Sequence, residues 1–104
     1  MIDTNLATAE ELSLELGARL RRQRLILRIT QADLAARVGL NIGTIKNIER
    51  KGGAAALVSI VRVAQALGLA DHFQLLFVVK PKSVAQMERA QSAPHQRARA
   101  RVVL

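Results

Sequence analysis

Between Thr30 and Lys51 the chain carries two short apolar-periodic segments joined by a tight glycine turn, and no other feature restricts its fold as tightly. Thr30 offers an N-cap to Gln31–Val38, where Leu34, Ala35 and Val38 share one face, and Gly39 stands where a left-handed C-cap would end the segment. Asn41 offers the next cap, to a helix whose inward residues are Ile45 and Ile48 and which Gly52-Gly53 terminates. Two short helices on a tight turn, with the small Ala35 where they cross, predict a helix-turn-helix whose second helix protrudes.

The flanking segments also read as helices. Thr8-Ala9-Glu10-Glu11 has the pattern of a capping box, and the spacing of Leu12, Leu16, Leu20 and Leu27 predicts an inward stripe on a helix reaching about Arg28. A fourth helix is expected from about Ala55 to Leu67 through Leu57, Ile60, Val61, Ala64 and Leu67, closed by Gly68. A fifth is expected from a cap at Asp71 to about Val78, with Phe73, Leu76 and Phe77 on one side and Lys80-Pro81 halting it. From Pro81 the texture turns polar and basic. The expected architecture is therefore all-α: a compact five-helix domain over residues 1–80 and a polar basic C-terminal tail over 81–104, mobile or ordered only on a partner.

Charge narrows the function. The net +8 of this 104-residue chain is unevenly spread, with −4 in residues 1–18, +7 in 19–51, zero in 52–79 and +5 in 80–101. Such clustering suits a polyanion, most commonly nucleic acid, over a merely solvated basic face. The chain has no cysteine, so disulfides and thiolate metal sites are excluded. Its two histidines, His72 and His95, have no acidic or thiol neighbours at ligand spacing, which argues against catalysis, a metal site or a cofactor. The apolar run Leu75–Val79 is too short to cross a bilayer and the first residues lack a signal-peptide pattern, so a cytoplasmic protein, nucleoid-associated when bound to DNA, is expected.

Thr30-Gln31-x-x-Leu34-Ala35-x-x-Val38-Gly39-Leu40, Thr44-Ile45-x-x-Ile48-Glu49-Arg50-x-Gly52 and Ala64-x-Ala66-Leu67-Gly68-Leu69 together resemble the phage-repressor and Cro-type helix-turn-helix regulators of the XRE family, over about Leu16 to Leu76. The resemblance implies a five-helix, lambda-repressor-like domain acting as a homodimer on a palindromic operator in double-stranded DNA. It also implies roles for individual residues. Gln31 would clamp a phosphate, while Asn41, Ile42, Gly43, Lys46 and Asn47 would sit where relatives reach base edges. Asn47 would suit an adenine, Lys46 a guanine and Ile42 a thymine methyl. Thr44, Arg50 and Lys51 would contact phosphates. Arg24 and Glu49 occupy positions that pair between the first and third helices of similar repressors, although Arg24 could instead face phosphate. Ile42 and Gly43 depart from the polar residues of many relatives, so base readout is expected to be sparse.

The tail motif Pro81-x-Ser83 with Gln96-Arg97-Ala98-Arg99 resembles the C-terminal extensions of HipB-like antitoxins, which bind a HipA-like kinase toxin and repress their shared operon. A stand-alone prophage or metabolic repressor is the alternative reading, and an RNA-binding or coactivator-like adaptor a third.

Overall fold

A computed structural model describes residues 6–52, 55–79 and 88–89. Among the described residues of 6–79 lie four α-helices and one 3₁₀ helix, with no strand: α1 (Ala9–Ile26), α2 (Gln31–Val38), α3 (Ile42–Lys51), α4 (Leu57–Ala66) and the 3₁₀ helix Ala70–Gln74. The remainder of the 81–104 tail and its motif lie outside the described residues.

Local capping chemistry sets the starts of the first three helices. Thr8 and Glu11 form the reciprocal box: the Glu11 amide donates to Thr8 Oγ1 at 3.1 Å and the Thr8 amide donates to Glu11 Oε1 at 2.9 Å. Thr30 Oγ1 accepts from the Asp33 amide at 3.0 Å, and Asn41 Oδ1 from the Thr44 amide at 2.9 Å. Between α2 and α3 the chain turns through Gly39, whose φ of 71° is left-handed. The core is aliphatic and thin: Leu20 of α1, Leu34 and Ala35 of α2, Ile45 and Ile48 of α3, then Val63, Ala64 and Leu67 at the end of α4.

The inward line of α1 differs from the expected leucine stripe. Leu20 is buried, but Leu16 and Leu27 are 55% and 44% exposed, and the buried positions are Gly17, Leu20 and Arg24. The cause is the closeness of α1 to α3. A Cβ on Gly17 would collide with the Ile48 carbonyl oxygen and fall 3.1 Å from that of Glu49. Gly52, with φ of 70°, lies just as tightly on the Ser13 carbonyl. The close contact sets Gly17 on the inward line with Leu20 and Arg24, so Leu16, about 100° round the helix from Gly17, is turned outward.

Helix α1 also stops two residues short of the expected end, at Ile26, and Arg28 takes a φ of 58°. Helix α4 starts at Leu57 instead of Ala55, and Leu57, expected in the core, is 72% exposed. Its first turn has no side-chain cap, and burial begins only where the helix reaches α2. The fifth α-helix is absent. Its place is taken by a 3₁₀ turn in which Asp71 lies inside the element and caps nothing, only Phe73 packs against the core, and Leu76 and Phe77 face outward. Once Phe73 is seated no apolar partner remains to support a full α-helix, and the chain leaves through Phe77 with φ of 61°.

Replacing Gly17 with alanine must push α1 from α3, and overpacking of this kind costs about 1 to 3 kcal/mol. Thermal unfolding followed by circular dichroism should show a clearly lowered Tm for Gly17→Ala; an unchanged Tm would show that the helices separate freely.

Candidate nucleic-acid interface

The recognition-helix candidate α3 is divided lengthwise. Ile45, Ile48 and Glu49 are buried, whereas Ile42, Gly43, Lys46, Asn47, Arg50 and Lys51 are exposed and Thr44 is half-buried. Spacings of three and four place Gly43, Lys46, Asn47 and Arg50 on one edge. A buried cluster behind that edge holds the helix. The Arg24 guanidinium, on α1, donates from Nε to Glu49 Oε2 at 2.6 Å and from Nη2 to Glu49 Oε1 at 3.0 Å. Its remaining arm, Nη1, donates to the Ile29 carbonyl at 2.8 Å, which pins the α1–α2 connection. The side chains of Arg24 and Glu49 are 8% and 3% exposed, so the pair is desolvated, and each partner depends on the other for compensation.

Gln31 joins this cluster from the first position of α2, its Nε2 donating to Glu49 Oε1 at 3.0 Å. The resemblance implies that Gln31 clamps a phosphate; in the structure its amide is engaged by Glu49, leaving a second N–H on the same nitrogen. Glu49 thus ties together α1, α2 and α3. The pairing of Arg24 with Glu49 is present, and Arg24, with its three donor groups committed inward, does not face a ligand.

The outer residues fall into two groups. Asn41 spends its side-chain oxygen on capping, accepting from the Thr44 amide and from Thr44 Oγ1 at 3.3 Å, so Asn41 and Thr44 hold each other at the start of α3. Ile42 and Gly43 follow with open faces; a Cβ on Gly43 would meet only the Asn41 cap oxygen, at 3.2 Å. At the other end Arg50 Nη2 donates to Asn47 Oδ1 at 3.2 Å, setting the two side chains together on the same edge. Lys51 is exposed at the C-terminal turn. Beside α3, Arg21, Gln31, Lys46, Glu49 and Arg50 line a shallow open depression. Arg21 is a residue that the sequence motifs do not single out. The available signal was its place three residues before Arg24, which puts both on the side of α1 that turns toward α3.

A family model of the helix-turn-helix matches residues 20–71, half of the chain. The match runs from the core residue Leu20 to Asp71 and includes the whole of α2, α3 and α4. The chain belongs to the helix-turn-helix family, of XRE type. Its members are DNA-binding transcriptional regulators, generally without enzymatic activity. No curated protein matches the chain. No helix among the described residues is long and apolar enough to cross a membrane.

Arg24→Met leaves Glu49 buried with only the Gln31 amide for a partner, which costs about 3 to 5 kcal/mol. Adding Glu49→Leu removes the orphaned charge and should recover most of that loss. Urea denaturation of both single variants and the double variant forms a cycle that tests this; additive losses would show that the two side chains are not energetically paired.

Proposed function

We propose that this helix-turn-helix protein is a transcriptional repressor that binds a palindromic operator as a homodimer, with α3 in the major groove. The observation that carries this reading is the presentation of α3: its outer edge is open to solvent while its inner face is held by a buried ionic cluster reaching both neighbouring helices. A recognition helix fixed in this way loses little conformational freedom on docking. In this reading Asn47 and Ile42 meet base edges, Gly43 lets the backbone come close, and Asn41 and Thr44 set the first turn against the groove. Arg50, Lys51 and the free N–H of Gln31 contact phosphate and position the domain.

Dimerisation follows from the size of the readout, since one helix-turn-helix covers few base pairs and paired half-sites lie about 34 Å apart. The surface that supports it is the segment after the 3₁₀ helix, where Leu75, Phe77 and Val79 are 79%, 88% and 85% exposed. Apolar side chains gathered at this density on a small domain suit a protein interface. The antitoxin reading, with a HipA-like kinase toxin as partner, draws on the tail motif; a kinase-like reading frame next to the gene separates it from a stand-alone prophage or metabolic repressor. Salt-sensitive binding without sequence preference would instead favour the RNA-binding or adaptor reading.

Asn47→Ala should change which base pairs an in-vitro-selected operator requires, whereas Arg50→Ala should weaken binding to all duplexes alike and reduce the salt dependence. Selection and titration at two salt concentrations distinguish these effects, and uniform weakening by Asn47→Ala would remove its base-reading role. Sedimentation at tens of micromolar should give a dimer mass that Phe77→Asp converts to monomer; a monomeric wild type, with or without DNA, would contradict the dimer.

A further inference from the structure

Three cations from two helices converge on the depression beside α3: Arg21 from α1, and Lys46 and Arg50 from successive turns of α3. Glu49 is the acid in its lining, and its charge is already spent. Oε2 accepts from Arg24 Nε, and Oε1 accepts from both Arg24 Nη2 and Gln31 Nε2. Counting Arg24 with Glu49 as a neutral pair, the depression keeps the full charge of Arg21, Lys46 and Arg50. Among the described residues the side chains of Arg21 and Lys46 make no hydrogen bond or ion pair, and that of Arg50 reaches only Asn47 Oδ1. Arg19, two residues before Arg21 on the same helix, is by contrast paired with Glu15 at 2.9 Å. Like charges gathered without a counter-charge repel one another, and an anion seated between them relieves that repulsion.

The form of the depression selects the anion. It is open to solvent, which suits a charged group projecting from a larger surface. Its free polar groups are almost all donors. A base edge offers donors and acceptors in mixed order, whereas a phosphodiester presents acceptors to every approaching donor.

We propose that Arg21, Lys46 and Arg50, assisted by the second N–H of Gln31, seat one backbone phosphate of duplex DNA alongside α3. On this assignment α1 takes part in DNA contact through Arg21. Lys46 positions the protein instead of reading a guanine, which revises the role its family position suggests. The proposal rests on the DNA-binding reading and adds to it a residue outside the helix-turn-helix.

The test is fluorescence anisotropy with the full chain on two labelled duplexes of equal length, one selected in vitro and one of random sequence, across a range of salt concentrations. Arg21→Gln and Lys46→Gln should each lower affinity for both duplexes by the same factor and reduce the slope of log K against log salt by a part of the roughly 0.9 that one phosphate contributes, because the remaining cations still neutralise some of its charge. Arg62→Gln, which removes an exposed cation of α4 outside the depression, should leave the slope unchanged. All three positions are exposed, and matching circular dichroism spectra confirm equal folding. A wild-type slope for Arg21→Gln, or a Lys46→Gln loss confined to the selected duplex, overturns the phosphate seat. A wild type that binds neither duplex refutes the DNA-binding reading itself, an outcome distinct from the other two.

Discussion

The Arg24–Glu49 ion pair is the interaction on which the arrangement of the first three helices depends. A guanidinium has donors in a rigid plane, and here each arm meets a different demand: two satisfy the Glu49 carboxylate and one satisfies the Ile29 carbonyl in the α1–α2 connection. Burying such a pair in place of apolar side chains adds little net stability, because desolvation offsets most of the attraction. Its value lies in direction. Leu34, Ile45 and Ile48 hold α3 to the domain by packing that is not directional, whereas the forked contact at Glu49 adds directional bonds, and the rotation it fits turns Lys46, Asn47 and Arg50 outward.

Close backbone contact gives the pair its reach. Because Gly17 lets α1 touch the Ile48 carbonyl and Gly52 touches the Ser13 carbonyl, α1 and α3 lie nearer than side-chain packing alone would permit. Arg24, seven residues after Gly17, is thereby brought onto Glu49. The same closeness turns Leu16 off the inward line of α1 and brings Arg21 to the border of α3. Specification of the fold and formation of the cationic depression thus have one geometric origin.

What could be read from the sequence follows the range of the interactions involved. The caps at Thr8, Thr30 and Asn41 are contacts over three residues and were legible as such, as were the inward faces of α2 and α3, where the helical period and burial agree. The stripe of α1 was misread because leucine spacing says nothing of a glycine-mediated approach to another helix. The fifth helix was misread because its apolar residues have the right spacing but find no partner after Phe73. At the candidate site, the outward residues of α3 follow from its period. The engagement of Gln31 by Glu49, 18 residues away, is a tertiary juxtaposition that no local pattern encodes, and of the gathering of Arg21 with Lys46 and Arg50 the sequence shows only that Arg21 shares a helix side with Arg24.

The most direct measurement is the discrimination between operator and random duplex shown by the doubly substituted Arg24→Met/Glu49→Leu protein, in which the buried charges are replaced by apolar side chains of similar volume. If the ion pair fixes the rotation of α3, this protein should fold cooperatively, keep salt-sensitive binding to both duplexes and lose most of its preference for the operator. Undiminished preference in a folded double variant would contradict that role and assign the posture of α3 to hydrophobic packing alone.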